Sequence, residues 1–511
     1  MAEESKSRLY ALKPIIERWP AVTKPEGHVT FRTKIMWTIL CLVLYYILTN
    51  VMIYGLRSNI IDLFAGYRFI MAGASGSIMH LGIGPIVTAS IILQLFVGAK
   101  IIKLDLTKKE DKAIYQGTQK VLVVIMILVE AVPQIFGYLS PNDALVSMVG
   151  GVWADAIIII QLFTGAYLVF LMDELISKWG IGSGISLFIA AGVSQALFTG
   201  LFNWLPTSGA EYSINTPPAG VIPGTYYLVS HMSLGDIVNG GYQIIFIGHG
   251  GYPNAIVPLL GTLFIFLLVT YTESSRIELP LAHDKVRGAR GRYPIRLIYA
   301  SNIPVILMSA LLANINMFAL LLSTSLKHIP LIGDKWWIGT YDTTISTQPL
   351  MGGAWYLSRL NGVNGWLMPI IQGGVPGGHA AWQYALKVII YLSIMIFGSV
   401  LFAKFWIETT NMGPRAVAKQ IQNSGMQIPG FRRDPRVLGR VLERYIPVVT
   451  VIGGAAVGAL AGFADAVSTV GNTSGTGLLL TVGIMINLYE QIAKEQAMEM
   501  HPVLRGFFGK D

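Results

Sequence analysis

Residues 275–308 read SRIELPLAHDKVRGARGRYPIRLIYASNIPVILM, and the two parts of that stretch demand different surroundings. The first carries Arg276, Lys285, Arg287, Arg290, Arg292 and Arg296, cations that want water or an anionic partner. The second opens an apolar run with no Asp, Glu, Lys, Arg or His from Leu297 to Leu326. Crossing a bilayer takes about 20 residues at about 1.5 Å each, so the run is long enough. Asn302 and Pro304 interrupt it, and a plain anchor needs neither. A cationic loop joined to a broken membrane helix predicts a protein that docks something outside the membrane and opens within it.

The rest of the chain fits a membrane setting. Its 511 residues are 53% hydrophobic and 13% charged. Soluble domains run near about a quarter charged, so the composition predicts a polytopic membrane protein. The single cysteine, Cys41, excludes an internal disulfide framework and metal sites built from several thiolates. No GxxxxGK[ST] stretch occurs, which argues against a Walker-type nucleotide site, and no metal, cofactor or catalytic role is expected. No cleavable leader is expected either, because the first apolar run starts near Lys34 behind a charged tail. Within that tail Leu9, Leu12, Ile16 and Trp19 recur at helical spacing among Lys6, Arg8, Lys13 and Arg18, predicting a short interfacial helix.

Ten spanning segments are predicted near 34–55, 77–98, 117–139, 152–173, 183–202, 256–274, 297–322, 384–407, 446–466 and 473–491. They divide the chain into a tail (1–33), a first half (34–202), an outer loop (203–255), a second half (256–491) and a closing tail (492–511). The element 57–76 is apolar in patches, rich in glycine and too interrupted to span, so it reads as half-inserted. Irregular backbone at that depth is tolerated only inside protein or beside water. Thirty-one of the 37 Lys and Arg residues fall in the stretch 1–34, the closing tail, at Lys178, or in the loops 99–120, 275–296 and 403–445. That asymmetry places both termini and those loops in the cytoplasm. The outer loops 203–255 and 323–383 suggest no chemistry.

The two halves echo each other. Pro85 of LGIGPIV (81–87) corresponds to Pro304 of ASNIPVI (300–306), and GIGSGISLFI (180–189) shares Gly, Ser, Gly and Leu offsets with GNTSGTGLLL (471–480). Interrupted helices at matching places in two inverted halves point to a pathway at the repeat interface. His80 is the one charged or imidazole side chain between Gly76 and Ala99, and the other three interrupted segments have none. A coupled transporter or a cation filter would want acids there; aliphatic surfaces suit a constriction that excludes ions by dewetting. Glu130, in VEAVPQ, either makes an interhelical contact with Asn302 or Thr88 or lies wet near the outer interface. Asp155, Asp465 and Glu490 read as interfacial.

Several stretches resemble the SecY family, the large subunit of the protein-conducting translocon, in its archaeal branch. They are LGIGPIVTASIILQL (81–95), DELISKWGIGSGISLFIAAGVSQ (173–195), RIELPLAH (276–283), YPIRLIYASNIPVIL (293–307), RYIPVVTV (444–451) and TSGTGLLLTV (473–482). The resemblance implies an all-α membrane protein with ten transmembrane helices in two inverted five-helix halves around a central pore. It implies a channel that passes unfolded polypeptide and releases apolar helices sideways into lipid. By resemblance the pore ring falls on Ile83, Val87, Ile185, Ile189, Ile306 and Leu480. The plug falls on 57–76, with Ile60, Ile61, Leu63, Phe64, Phe69 and Ile70. A lateral gate between segments 2 and 3 and segments 7 and 8 carries the polar cluster Thr88, Glu130 and Asn302. Lys285, Arg287, Arg290, Arg292, Arg432 and Arg433 would dock the ribosome through its RNA. Small SecE-type and Secβ-type subunits, signal sequences, nascent chains and membrane lipid are the implied partners, and the archaeal cell membrane the implied location. The outer loops match least and are longer than the family leads one to expect. A secondary transporter of small solutes and a structural scaffold are the alternatives; the first lacks its ionisable groups, and the second needs no interrupted helices.

Overall fold

The computed structural model describes residues 8–27, 29–57, 71–102, 104, 106, 108–137, 139–206, 211–248, 254–283, 290–296, 302–325, 337–341, 349–374, 378–410, 412–423, 426–427 and 435–500. Ten apolar helices follow in order: α1 (Phe31–Thr49), α2 (Gly84–Gly98), α3 (Lys109–Gly137), α4 (Gly151–Trp179) and α5 (Gly184–Phe202) in the first half. The second half holds α6 (Ile256–Ser274), α7 (Ile303–Ser325), α8 (Ala381–Thr409), α9 (Pro435–Ala466) and α10 (Gly475–Met500). All but α2 are long and apolar enough to cross a membrane.

Helix α2 has 15 residues, about 22 Å of rise, short of the roughly 30 Å of a hydrocarbon core. The sequence pattern extends it back to residue 77, and the structure does not. Pro85 occupies the first turn, where its missing N–H costs nothing, and it disfavours helical backbone just before it. Gly82 has φ +52°, which ends any helical path there. The turns that replace the missing helix are dry: Ser77, Met79, His80, Leu81 and Ile83 are all buried. His80 is satisfied locally, its Nδ1 accepting from Gly76 N at 3.0 Å. Helix α1 likewise stops at Thr49; beyond it Ile78 N donates to Val51 O at 2.8 Å and Ile53 N to Gly76 O at 2.9 Å.

The halves meet along two lines. On one side α7 packs on α2 and α3, and α8 packs on α2; on the other α5 packs on α10 and on the turn Val470–Asn472 before it. The second contact is backbone on backbone. Gly471 has φ +77°, and a methyl there would lie 2.0 Å from Ala196 O of α5. A methyl on Gly200 would lie 2.5 Å from Gly471 N.

On one face, the N-terminal segment is tied across the end of α4. Val22 N donates to Glu174 Oε2 at 3.2 Å and Trp179 Nε1 to Thr23 O at 2.9 Å. Lys34 pairs with Glu495 of α10 at 2.8 Å, so the two terminal segments share that face. The expected interfacial helix appears as a turn of 3-10 helix (Arg8–Leu12) followed by Lys13–Arg18. It packs Ile16 against Gly117 of α3.

The basic loops are not plain loops. Strands β1 (Arg276–His283) and β2 (Arg290–Arg296) pair antiparallel with Leu279 opposite Tyr293, and β1 also pairs with β3 (Met426–Gln427) through Ala282–Gln427. One small sheet thus joins the loops 275–296 and 403–445, which the sequence analysis treated as separate. The alternation Ile277, Leu279, Leu281 is the strand signal that the charge pattern overshadowed.

The Gly200–Gly471 contact sets a test of how the halves are held. Gly471→Ala should cost about 3 kcal/mol, from positive φ and overpacking together. Thermal unfolding of the purified chain checks it, and a variant as stable as the parent refutes the close contact.

Candidate functional site

The six aliphatic positions of the expected ring all stand at the beginnings of helices. Ile83 precedes α2 and Val87 lies in its first turn; Ile185 and Ile189 open α5; Ile306 opens α7; Leu480 opens α10. Five of them are buried in one continuous apolar cluster, and Ile185 is half-buried against it. Val87, Ile185 and Ile306 also border a cavity of about 430 Å³. Its walls carry the amides of Gln94, Gln116 and Gln119 and the hydroxyls of Ser90, Ser183 and Ser186, with Lys112 and Trp406 toward the basic loops. Polar side chains and three of the aliphatic ring positions therefore line one cavity.

A helix that begins in an apolar interior exposes N–H groups that need acceptors. Two carboxylates supply them. Asp173, near the end of α4, accepts from Ile185 N of α5 at 2.9 Å. Asp465, at the end of α9, accepts from Thr476 N of α10 at 2.9 Å through Oδ1. Its Oδ2 accepts from Thr476 Oγ1 at 2.8 Å and from Tyr391 Oη of α8 at 2.7 Å. Arg359 Nε lies 3.7 Å from Asp465 Oδ1. Negative charge at a helix N-terminus also meets its dipole favourably. The pair obeys the inverted repeat, each acid closing the helix before the one it caps. Sequence reading gave Asp173 no role and took Asp465 as interfacial. The signal was present as an acid 12 or 11 residues before the second helical residue of each echoing segment.

Between α2, α3 and α7 lies a dry polar cluster. Glu130 is fully buried, which removes the wet alternative. The Thr88 hydroxyl lies 2.8 Å from Glu130 Oε1 and 2.9 Å from Gly84 O, offering its proton to these acceptors. Thr88 Oγ1 accepts from Asn314 Nδ2 of α7 at 2.9 Å. Asn302, expected as the third member, is not hydrogen-bonded to either partner. Neither of its side-chain polar atoms has a hydrogen-bond partner among the described residues, and it sits against Gly483 of α10. Its place opposite Thr88 is taken by Asn314, some three turns further along α7.

The SecY family profile matches residues 77–489, and the profile described as the plug domain of Sec61p matches residues 43–76. The chain belongs to the SecY family. It is 45% identical over 511 residues to the protein translocase subunit SecY of Archaeoglobus fulgidus, covering 99% of each chain. The solved structure described as a protein conducting channel superposes with TM-score 0.76 at 37% identity, covering 96% of this chain and 98% of that one. Sec61 from the canine ribosome-channel complex gives TM-score 0.74 at 37% identity, with the same coverage. Membership makes this chain a translocase subunit, a channel protein of the membrane rather than a catalyst.

The SecY-family plug positions Ile60, Ile61, Leu63, Phe64, Phe69 and Ile70 lie outside the described residues, but the chain leaving that segment is pinned. Tyr45 Oη donates to Ala72 O at 2.7 Å, and Ile83 N donates to Met71 O at 2.7 Å, so residues 71–72 end directly against the ring. Of the cations expected to dock the ribosome, Arg290 and Arg292 lie on β2; Lys285, Arg287, Arg432 and Arg433 lie outside the described residues.

If the two carboxylates hold α5 and α10 in place, Asp173→Ala or Asp465→Ala should each lower stability by about 2 kcal/mol. Asp465→Asn should cost less, because an amide oxygen still accepts from Thr476 N. Thermal unfolding in detergent measures this, and alanine variants that melt with the parent would remove the capping role.

Proposed function

We propose that this chain is the pore of a channel that carries unfolded polypeptide across the membrane and releases apolar helices sideways between α2/α3 and α7/α8. The observation that carries the reading is the aliphatic set at the cavity: Val87, Ile185 and Ile306 border it, with Ile83, Ile189 and Leu480 in the same apolar cluster. Such a constriction leaves too little polar surface to hold a column of water, yet no bond ties its side chains together, so a passing chain can spread them. The plug segment 57–76 serves as its seal. The Thr88–Glu130–Asn314 cluster closes the lateral seam when no apolar helix occupies it.

The terminal tails and the basic loops face the cytoplasm, in keeping with the distribution of positive charge. Arg290 and Arg292, together with Lys285, Arg287, Arg432 and Arg433, dock ribosomal RNA, and small SecE-type and Secβ-type subunits complete the complex in the archaeal cell membrane. Support comes from the sheet that brings both basic loops together and from the Sec61 relative described in a ribosome-channel complex.

Two measurements test this function. Glycine at Ile185, Ile189 and Ile306 together should widen the constriction, so the triple variant in a planar bilayer should conduct ions without substrate while the parent stays shut. A folded variant with parental resting conductance would defeat the pore assignment. For docking, Arg287→Glu combined with Arg432→Glu should weaken ribosome binding and flatten its salt dependence, since phosphate contacts release counterions. Unchanged binding at moderate salt would leave those charges as topology signals only.

A further inference from the structure

The outer loop between α5 and α6 has an apolar face that the channel function does not use. Helix Val221–His231 is followed by a kinked helical stretch from Leu234 to Phe246, interrupted at Gly240 (φ +128°). One side of this hairpin is core: Leu228 and Ile245 are buried together with Ala255 at the foot of α6. Another side carries Asp236, Asn239 and Gln243, all exposed. Leu234 and Val238 before that interruption and Tyr242 and Phe246 after it keep four-residue spacing and are 84%, 75%, 48% and 48% exposed, beside Tyr226 at 70%, with the Tyr242 hydroxyl at the polar border, where it accepts from Gln243 Nε2 at 3.3 Å. A water-facing loop has no reason to keep its large apolar side chains in a separate row from its polar ones.

The depth of the hairpin is fixed by its attachments. Gly220 N donates to Asn203 O at 2.8 Å, immediately past the end of α5, and Asn254 Nδ2 donates to Ala219 O at 2.8 Å, just before α6 begins. The hairpin therefore stands where two spans leave the bilayer, and both its helical parts pack on α6. The outer half of α6 is itself apolar and exposed at Leu260 and Phe264, as a lipid-facing helix is. From residue 212 to 248 Asp236 is the sole Asp, Glu, Lys or Arg, and it falls on the polar side. We infer that this hairpin is seated in the outer lipid–water interface, with the Leu234–Phe246 row among acyl chains and the Asp236–Gln243 row in water. It is an amphipathic anchor of the kind that lies in the membrane plane, built onto the joint between the two halves of the channel.

Spin labelling of the full chain in lipid nanodiscs tests the inference. In a Cys41→Ser background, single cysteines replace Val238 and Tyr242 on the apolar row and Asn239 and Gln243 on the polar row. All four positions are exposed, so the labels need not disturb packing. Leu267→Cys, on an exposed position of α6, is the lipid reference. Nitroxides at 238 and 242 should collide more with oxygen than with a water-soluble nickel chelate, as at 267, and the order should reverse at 239 and 243. Chelate collisions dominating at all four positions would put the hairpin in water and overturn the inference. Exclusion of both reagents at 238 and 242 would show protein covering the row, and would overturn it equally.

Discussion

Four helices of this protein begin inside it, and everything at the site depends on how their first N–H groups are met. A helix start in an apolar interior is costly unless acceptors wait there. The fold provides them case by case. α5 and α10 receive carboxylates from the helices before them, Asp173 and Asp465. α2 is led in by a turn whose Ile83 N reaches Met71 O, and α7 by Asn302 O, which accepts from Val305 and Ile306 N. The ring side chains lie within the first two turns of those starts. Their height is therefore set by backbone capping, leaving the side chains themselves free of bonds.

Alternation of ten spans sends α2 and α10 into the protein from one face and α5 and α7 from the other. The starts then bring their side chains into one apolar cluster, where a continuous helix would have carried them past one another. The two lines of contact between the halves differ accordingly. Along α5 and α10, glycine backbones touch and no side chain intervenes, which suits a fixed joint. Along α2, α3 and α7, the contact runs through hydroxyl, carboxyl and amide groups that exchange readily with other partners.

Much of this was legible in the sequence. Apolar runs gave the spans, Pro85 and Pro304 marked two interruptions, and the echo of Gly180–Ile189 in Gly471–Leu480 gave the pairing of helix starts; the break at Gly82 did not show. What escaped were matters of rotation and partner. Asn302 immediately precedes α7 and Asn314 lies on it, about 18 Å further along its axis, and nothing local says which of them faces Thr88. The sheet escaped because six cations in a short stretch read as a solvated loop, although Ile277, Leu279 and Leu281 alternate as a strand does. Asp465 escaped because an acid near a span end is usually wet; only the fold shows Tyr391 and Thr476 closing over it.

The acids also separate a channel from a coupled transporter. A transporter needs a carboxyl that meets its ion from each side in turn. Here Asp173 and Asp465 are occupied by backbone N–H groups, and Glu130 is dry and bonded to Thr88. None of the three borders the cavity, whose ionisable side chains are Lys112 and Tyr115, on the side of the basic loops. Asp173 and Asp465 hold the starts of α5 and α10 in place. What they hold is the proposed aliphatic constriction, with nothing for a small ion to bind, and that is the condition a passage for polypeptide must meet if the membrane is to keep its gradients while the passage is idle.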